Sequence, residues 1–394
     1  MPTLQATLTH LPNPAACPTA TYPLALQQIT SLKQAGAALA NISSWPGYQP
    51  SPLRKLEQLA AQIGVAAIDY KDESQRFGLK SFKALGGAYA VARQVQAQVR
   101  QQVGAEASID DLLAGSYQSI LRNIVISCAT DGNHGRSVAW GCQMFGCGCI
   151  IYIHRDVSAG RQQAMQAFGA EVIRISGNYD ESVRQAASDA ATHGRIIVSD
   201  TSYPGYVDIP RDVALGYTVM LAEAVEQLDA SIPTHVFIQA GVGGLAAAVC
   251  AYFWELWGAR RPRFIVVEPE QANCLQESAR RGERVTITGD LDTLMAGLAC
   301  GEVSLLAWDV LQPGVDDFLT ISEDAVAPCM QLLARGVPPI EAGESAVAGL
   351  AAAIVAREDA TLAAQLGLDA TSRIFVIGTE GATDPEVYQR LINQ

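Results

Sequence analysis

Short apolar, β-branched runs alternate with alanine-rich stretches through most of the 394 residues of the chain. This alternation is typical of α/β proteins, because parallel strands in one sheet must be joined by a crossover that is usually a helix. The pattern predicts strands at 67–70, 124–128, 149–153, 172–175, 196–200, 235–239, 264–267 and 374–377. The helical stretches between them include 82–99, 135–145, 160–168 and 179–193. The predicted fold class is therefore α/β, with a largely parallel sheet.

Four of the predicted strands, which begin at residues 124, 149, 172 and 196, follow one another at close and regular spacing. We expect them to form a compact sheet within a smaller domain of residues 86–205. Residues 1–85 and 206–394 are then expected to pair into a larger domain. Two polar stretches are predicted to be surface loops, "QVGAEASIDD" (102–111) and "LQPGVDDF" (311–318).

The chain carries a formal net charge of −13 and has no basic block. This argues against a nucleic acid or an anionic membrane surface as the partner and favours a small-molecule ligand. The first twenty residues have neither a basic start nor a continuous apolar segment, so we expect no signal peptide and a cytoplasmic protein. The most apolar runs, 243–254 and 346–356, are shorter than the about 18 residues that a membrane-spanning helix needs, and are predicted to be core helices.

The first segment with possible chemistry is "KDESQRFGLKSFKALGGAYA", residues 71–90, where a strand gives way to a helix. Lys80 and Lys83 are three residues apart and share a helix face if the helix begins early. One interpretation is a pair of solvated lysines. Lys83, however, lies between Phe82 and an apolar run, and a desolvated amine has a lowered pKa and can act as a nucleophile.

The second segment, "CATDGNHGRSVAW" (128–140), reads as a strand, a glycine turn and the start of a helix. Backbone amides at a helix start favour an anion or an electron-rich oxygen, and the side chain of Asn133 can donate to the same atom. A carboxylate, Asp131, stands directly before the glycine. The segment alone fits two interpretations: Asp131 is the N-cap of the helix and His134 a turn residue, or Asp131 is a functional carboxylate.

The third segment is the run Gly241-Val242-Gly243-Gly244, between a predicted strand and a helix of small residues. The pattern is typical of a phosphate held by backbone amides at a helix N-terminus. Gly241, Gly243 and Ala246 also fit a dinucleotide-binding fingerprint, with Glu268 near the position of a ribose-binding acid. Taken alone, this segment leaves both alternatives open.

In the fourth segment, "RIFVIGTEGATD" (373–384), a buried strand delivers Thr379 and Glu380 to a glycine turn. Open α/β sheets place their ligands at this end of a strand. Thr379 can hydrogen-bond a ring nitrogen of a ligand or satisfy a nearby backbone group.

The cysteines and histidines predict no metal site. Three cysteines are clustered at 142, 147 and 149, but no histidine pair accompanies them, so we interpret them as core thiols. The histidines outside the glycine turn, His154 among them, have no metal-like spacing. No catalytic metal is expected.

Holding pyridoxal phosphate requires a desolvated lysine, a polar glycine turn, a phosphate loop and a strand-end threonine. The chain carries these four features in this order. Over nearly its full length the chain resembles the fold-type II pyridoxal-phosphate enzymes, the tryptophan synthase β and serine/threonine dehydratase group. These enzymes have two open, twisted, mostly parallel sheets flanked by helices, in a large and a small domain with the cofactor between them. Five motifs narrow the resemblance to the diaminopropionate ammonia-lyase family: "KDESQRFGLKSFKALGGAYA", "TDGNHGRSVAW", "LMAGLACGE" (294–302), "GESAVAGL" (343–350) and "TEGATD" (379–384).

The resemblance implies which residues contact the cofactor and the substrate. The implied cofactor-binding residues are Phe82, Lys83, Asn133, Gly241, Val242, Gly243, Gly244, Leu245 and Thr379. The implied substrate-binding residues are Asp131, Asp200, Glu344 and Ser345. The implied catalytic residues are Lys83, Asp131 and Asp200.

Within this set, Lys83 looks like the lysine that forms a Schiff base with the cofactor. Asn133 looks like the partner of the cofactor's 3′-oxygen, and Thr379 like the partner of its pyridine nitrogen. Hydroxy-amino-acid dehydratases of this fold usually carry a serine where this chain has Asp131. A carboxylate there can accept a proton from Cα on the face away from Lys83, or pair with a substrate ammonium.

The implied reaction is the α,β-elimination of 2,3-diaminopropionate, in the L and D forms, to pyruvate and two ammonia. The alternative is a serine or threonine dehydratase that acts on a hydroxy amino acid with the same cofactor. The resemblance also implies a homodimer. It places Cys274 and Cys300 where a disulfide can form, but in a reducing cytosol we expect two thiols.

Overall fold

A computed structural model describes residues 4–17, 21–289 and 291–394. The first twenty residues, for which no signal peptide is expected, lie only partly within these ranges. The described residues form eleven strands in two separate sheets, with helices packed on the sheet faces. The prediction of an α/β fold with two mostly parallel sheets is confirmed.

The strands differ in length from two to seven residues. In chain order they are β1 Leu8–Pro12, β2 Leu53–Lys55, β3 Ala67–Asp72, β4 Val125–Ala129, β5 Gly148–Ile153, β6 Glu171–Arg174, β7 Ile196–Ile197, β8 His235–Gln239, β9 Arg263–Pro269, β10 Asp317–Ile321 and β11 Arg373–Gly378. Seven of them make the larger sheet, in the order β1-β10-β9-β8-β11-β3-β2, and four make the smaller sheet, in the order β6-β5-β4-β7. The smaller sheet is parallel throughout. In the larger sheet only the edge strands β1 and β2 run antiparallel to their neighbours.

Most strands are connected by helices, as the alternating sequence pattern predicts. The helices are α1 Leu32–Ser43, α2 Glu57–Ile63, α3 Lys83–Val103, α4 Ile109–Leu113, α5 Gln118–Leu121, α6 Asn133–Phe145, α7 Ala159–Gln166, α8 Tyr179–His193, α9 Asp208–Gln227, α10 Gly244–Trp257, α11 Cys274–Arg281, α12 Leu305–Gly314, α13 Val326–Ala334, α14 Ala348–Glu358, α15 Ala360–Leu366 and α16 Pro385–Ile392. Several begin at a side chain that accepts from the first turn, such as Ser158 before α7, Asn178 before α8 and Asp384 before α16. Each such cap satisfies a donor that the helix leaves without an internal partner.

All eight predicted strands are present within a few residues, but β1, β2 and β10 are not predicted. The prediction of a surface loop at 311–318 is wrong. Residues 311–314 continue α12, with Pro313 in its last turn, and β10 follows as a buried strand. Its first residue, Asp317, is tolerated in the interior because its carboxylate bonds Arg263 over 2.6 Å and His10 over 2.8 Å.

The two apolar runs form core helices, as predicted. Residues 243–254 lie largely in α10 and residues 346–356 largely in α14, and most of their side chains are buried. In the part of the chain that the structure describes, no helix combines the length and the apolar character needed to span a bilayer.

The chain that leads into α3 is anchored by buried charges. Lys71 at the end of β3 bonds Glu223 of α9 over 2.8 Å, and Arg76 bonds the same carboxylate over 2.6 Å. Arg76 also bonds Glu73 over 2.8 Å. Because all four side chains are almost fully buried and mutually paired, the loop between β3 and α3 has a defined path.

Helix α3 lies between α6 and α9, and glycines allow the close approach on both sides. A Cβ on Gly216 of α9 would lie 2.9 Å from the Cα atom of Gly86 and would press on the Leu85 carbonyl oxygen. A Cβ on Gly141 of α6 would lie 2.9 Å from the Cα atom of Ala88. The start of α3 is therefore positioned by backbone contact with two neighbouring helices.

We predict that Gly216→Ala lowers the free energy of unfolding by about 1–3 kcal/mol, the usual cost of overpacking a rigid contact. Gly36→Ala is the matched control, because a Cβ at this position in α1 meets nothing within 4 Å. Removing a glycine from a helix interior without a clash should stabilise the protein by about 0.5–1 kcal/mol. Urea unfolding of both variants measures the difference, and equal stabilities would contradict the close packing of α3 on α9.

Candidate active site

Lys83 is the first residue of α3, and the segment before it is held at the end of β11. The N–H of Phe82 donates to the carbonyl oxygen of Thr379 over 3.0 Å. The amine of Lys83 therefore emerges at the carboxyl end of the larger sheet. Its Nζ lies 2.5 Å from Oδ2 of Asp200, which follows β7 of the smaller sheet. Lys83 and Asp200, both predicted to be site residues, therefore lie side by side.

Two aromatic rings border the Lys83 amine. Its Nζ lies 5.3 Å from the ring centre of Phe82 and 5.7 Å from that of Tyr217 on α9. Burial lowers the pKa of Lys83, but the Asp200 carboxylate outweighs burial and holds this pKa well above its usual range. The amine is thus an ammonium while Asp200 is its partner, and the prediction of a lowered pKa, which considers desolvation alone, does not hold for this ion pair. The sequence gives no signal for Tyr217, which lies 134 residues further along the chain.

Lys80 does not join Lys83. The backbone of Lys80 has a φ of 56°, which turns its side chain away before α3 begins. Its Nζ bonds Oε1 of Glu341 and the carbonyl oxygen of Ala382, both over 3.3 Å. Of Lys80 and Lys83, only Lys83 reaches the site.

Asp200 has a second neighbour, His134. The Nε2 atom of His134 donates to the carbonyl oxygen of Val198 over 2.8 Å, which places Nδ1 4.0 Å from Oδ2 of Asp200. Burial raises the pKa of Asp200, but Lys83 and His134 outweigh it and hold this pKa below its usual range. Burial lowers the pKa of His134. Asp200 is therefore an ionised carboxylate, and Lys83 is its main counter-ion.

Asp131 does not cap α6. The cap position is Gly132, and the hydroxyl of Thr130 accepts from the N–H groups of Gly132 and Gly135 instead. The Asp131 carboxylate points to His154, with Oδ1 2.9 Å from Nε2 of that ring. The helix-cap interpretation is therefore wrong, and the alternative of a functional carboxylate remains. The sequence gives no signal for this contact, because the proximity of His154 to Asp131 depends on which strands are neighbours.

Asn133, at the start of α6, is held by Glu380. Its Nδ2 donates to Oε2 of Glu380 over 2.5 Å, and the other oxygen of Glu380 accepts from the N–H of Ser345 over 3.2 Å. Next to this contact, Arg161 donates to Glu344 over 3.3 Å. The structure thus brings the predicted residues Asn133, Glu344 and Ser345 together through Glu380, which belongs to the fourth segment, and Arg161, for which the sequence gives no signal.

Glu344 and Glu380 form a buried carboxyl pair. Burial raises the pKa of both groups, and the neighbouring Glu380 carboxylate raises that of Glu344 further, to about 7. Arg161 is the cation that partly offsets this effect. A carboxyl group with a pKa of about 7 can remain a carboxylic acid near neutral pH, so Glu344 can supply one on this side of the site.

Thr379 is oriented to donate a hydrogen bond. Its Oγ1 accepts from Nε2 of Gln239, the last residue of the neighbouring strand β8, over 3.1 Å. The hydroxyl hydrogen of Thr379 is therefore available for an acceptor such as a pyridine nitrogen. The position of Gln239 follows from the pairing of β11 with β8.

The glycine loop between β8 and α10 has the geometry of an anion site. Gly243 has a φ of 94°, which favours glycine. A Cβ on Gly241 would lie 2.8 Å from Sγ of Cys300 and 3.4 Å from the carbonyl oxygen of Gly297. The loop therefore packs closely against Cys300 and Gly297, and the first N–H groups of α10, which have no partner inside the helix, can bind a ligand phosphate.

The dinucleotide interpretation of this loop is wrong. The buried carboxylate of Glu268 accepts from the N–H groups of Leu275 and Gln276 over 2.7 and 2.8 Å. It caps α11 and is not available to a ribose. Nearby, Cys274 and Cys300 are free thiols. Among the residues that the structure describes, no cluster of His, Cys, Asp and Glu side chains is arranged to hold a metal ion.

Known pyridoxal-phosphate-dependent enzymes resemble this chain in sequence. The family model described as "Pyridoxal-phosphate dependent enzyme" matches residues 44–379. The diaminopropionate ammonia-lyase of Salmonella typhimurium strain LT2 is 36% identical over 359 residues, which are 88% of this chain and 89% of the relative. The chain belongs to the diaminopropionate ammonia-lyase family of pyridoxal-phosphate-dependent enzymes.

Two solved structures of Escherichia coli diaminopropionate ammonia lyase match over 99% of this chain and 97% of theirs. One is a complex with an aminoacrylate-PLP azomethine reaction intermediate, at 34% identity and a TM-score of 0.88. The other is a complex with D-serine, at 33% identity and a TM-score of 0.89. The cofactor of this family is pyridoxal phosphate, and the lysine amine, the donor Thr379 and the glycine loop of this chain fit its three ends.

Proposed function

We propose that the chain eliminates the β-amino group from 2,3-diaminopropionate, in the L and D forms, to give pyruvate and two molecules of ammonia. The observation that carries this proposal is a pair of aspartates on the smaller sheet. Asp131 lies two residues beyond β4 and Asp200 three residues beyond β7, its parallel neighbour. One carboxylate can bind the β-ammonium of diaminopropionate, which a hydroxy amino acid lacks, and the other can accept a Cα proton.

The residues around Lys83 are suited to hold pyridoxal phosphate. Lys83 would bind the aldehyde carbon covalently, next to the ring of Phe82. Asn133 would donate to the 3′-oxygen and Thr379 to the pyridine nitrogen. The loop from Gly241 to Leu245 would bind the phosphate. Bound in this way, pyridoxal phosphate supplies an electron sink for the bonding electrons of the Cα–H bond.

Two groups would move the Cα proton. The Lys83 amine would accept it from one enantiomer and the Asp131 carboxylate from the other, since they enter the site from α3 and from the end of β4. The complex of the Escherichia coli relative with D-serine supports a site that admits a D-amino acid.

Asp200 would bind the β-ammonium of the substrate. In the described structure its counter-ion is the Lys83 ammonium, at 2.5 Å. A lysine bonded covalently to the cofactor is no longer this counter-ion, so a substrate ammonium can take its place. An amino group held in its protonated form leaves as neutral ammonia and needs no further acid.

Glu344 and Ser345 would border the same cavity. The hydroxyl of Ser345 accepts from the N–H of Gly297 over 3.0 Å and so fixes the loop that follows Leu294. Glu344 is held by Arg161. We infer that these contacts keep the substrate side of the site closed to bulk water.

We also infer a division into a larger domain, 1–85 and 206–394, and a smaller domain, 86–205. The membership of the two sheets supports it, since all four strands of the smaller sheet lie between residues 125 and 197. The resemblance to fold-type II enzymes supports a homodimer. Nine free thiols are compatible with a reducing, cytoplasmic location.

The product ratio tests the proposed reaction. We expect the purified, cofactor-loaded protein to release two ammonia per pyruvate from 2,3-diaminopropionate, because both amino groups are lost. Serine and threonine, assayed in parallel, release one ammonia per oxo acid and should be poorer substrates. Faster turnover of serine or threonine than of diaminopropionate would favour the dehydratase alternative instead.

The enantiomers test the role of Asp131. We predict that Asp131→Asn lowers kcat/KM for D-diaminopropionate by about 100-fold or more, the usual effect of losing a general base, and changes that for the L form much less. Stopped assays of pyruvate with each pure enantiomer measure both values. Equal losses on the two enantiomers would contradict the two-base arrangement.

A further inference from the structure

We propose that His154 is a positioning residue for Asp131, whose ring holds the carboxylate in the orientation that accepts the Cα proton of the D-enantiomer. The inference rests on the proposed function and adds a residue to it. His154 is not one of the residues that would hold the cofactor, which are Lys83, Asn133, Thr379 and the glycine loop.

The smaller sheet dictates the contact between the two residues. Strands β4 and β5 are parallel neighbours, and Ala129 is paired with Tyr152 in their register. Asp131 and His154 each lie two residues beyond this pair, at the carboxyl edge of the sheet. The register therefore brings the two side chains side by side, and Oδ1 of Asp131 lies 2.9 Å from Nε2 of His154.

The surroundings of the ring determine which nitrogen carries the proton in neutral His154. The N–H of Asp156 donates to Nδ1 over 3.3 Å, so Nδ1 is an acceptor. Nε2 must then carry the hydrogen and donate it to Asp131. In the described part of the chain no other side chain bonds the Asp131 carboxylate, which leaves Oδ2 available for a substrate proton.

The charges around His154 strengthen this contact. The Asp131 carboxylate bonds the ring directly, and the carboxylate of Asp156 lies 3.7 Å from Nδ1. The neighbouring cations face other groups: Arg155 pairs with Asp156, and Arg174 bonds the backbone carbonyl oxygens of residues 154 and 155. The hydrogen bond that the ring donates to the Asp131 carboxylate raises the pKa of His154, although burial alone would lower it.

The burial of the pair suits a positioning role. The side chain of Asp131 is 42% exposed and that of His154 is 18% exposed. Without a partner, a carboxylate as exposed as that of Asp131 would adopt several orientations. The half-buried ring has little freedom, because it is fixed at both nitrogens. His154 therefore limits Asp131 to one orientation, which a base needs if it is to meet a Cα–H bond at a defined distance.

Kinetics with the two enantiomers test the role of His154. His154→Phe removes the donor but keeps a flat ring, and His154→Gln places an amide N–H near the position of Nε2. His193→Gln is the control, since His193 is an exposed histidine in the last turn of α8. We expect His154→Phe to lower kcat/KM for the D-substrate by about 10-fold to 100-fold, and to leave that for the L-substrate within about 2-fold. His154→Gln should recover most of the loss.

A second readout separates positioning of the base from a general effect on the fold. With Cα-deuterated D-diaminopropionate, the isotope effect on kcat/KM should rise in His154→Phe and stay at the wild-type value in His193→Gln. The isotope effect with the L-substrate should not change in any variant. Equal losses on both enantiomers, or an unchanged D-reaction in His154→Phe, would overturn the role of His154 and leave the proposed function intact. Absence of pyruvate from either enantiomer with the wild-type protein would overturn the proposed function and, with it, this role.

The contact itself can be tested without turnover. In a nitrogen-15 NMR titration of the cofactor-loaded protein, neutral His154 should carry its proton on Nε2. Its pKa should be lower in Asp131→Asn than in the wild type, by about 1 unit, the usual effect of removing an adjacent opposite charge. The same pKa in both proteins would overturn the inferred contact, whatever the kinetics show.

Discussion

The ion pair between Lys83 and Asp200 joins the two sheets, and the site is arranged around it. Lys83 begins α3 at the carboxyl end of the larger sheet, whereas Asp200 follows β7 of the smaller one. Both side chains are largely buried, at 22% and 20% exposure. Removal of either would leave a mostly desolvated charge without its partner, which is costly. The pair therefore fixes the point at which the carboxyl edges of the two sheets face each other.

Three further hydrogen bonds cross the same junction. They join Asn133 to Glu380, Arg161 to Glu344 and Ser158 to Asp384. In each case a residue at the start of α6 or α7, on the smaller sheet, meets an acid that follows β11 or precedes α14. In these three bonds the smaller sheet contributes the donor and the larger sheet the carboxylate, which is the reverse of the Lys83–Asp200 pair. A ligand in this junction contacts both sheets, so the relative position of the sheets decides which substrate groups are bound.

The sequence predicts eight strands as apolar runs and misses β1, β2 and β10. Strands β1 and β2 lie at the edges of the larger sheet and are too short or too polar to show a pattern. Strand β10 is buried, but it begins with the charged residue Asp317. The site is predictable where function resides in a motif, as for Lys83. It is not predictable where two residues meet only because their strands are neighbours. His154 and Asp131 are 23 residues apart in the chain, and only the parallel pairing of β4 with β5 shows that they touch.

The central claim is that this junction holds pyridoxal phosphate through the amine of Lys83. Borohydride reduction of the cofactor-loaded protein, followed by digestion and mass spectrometry of the peptides, locates the modified lysine directly. The account predicts a single pyridoxyl group, on the peptide that contains Lys83, and no such group in Lys83→Ala. A modified Lys80 or Lys71, or a reduced adduct that persists in Lys83→Ala, would contradict it.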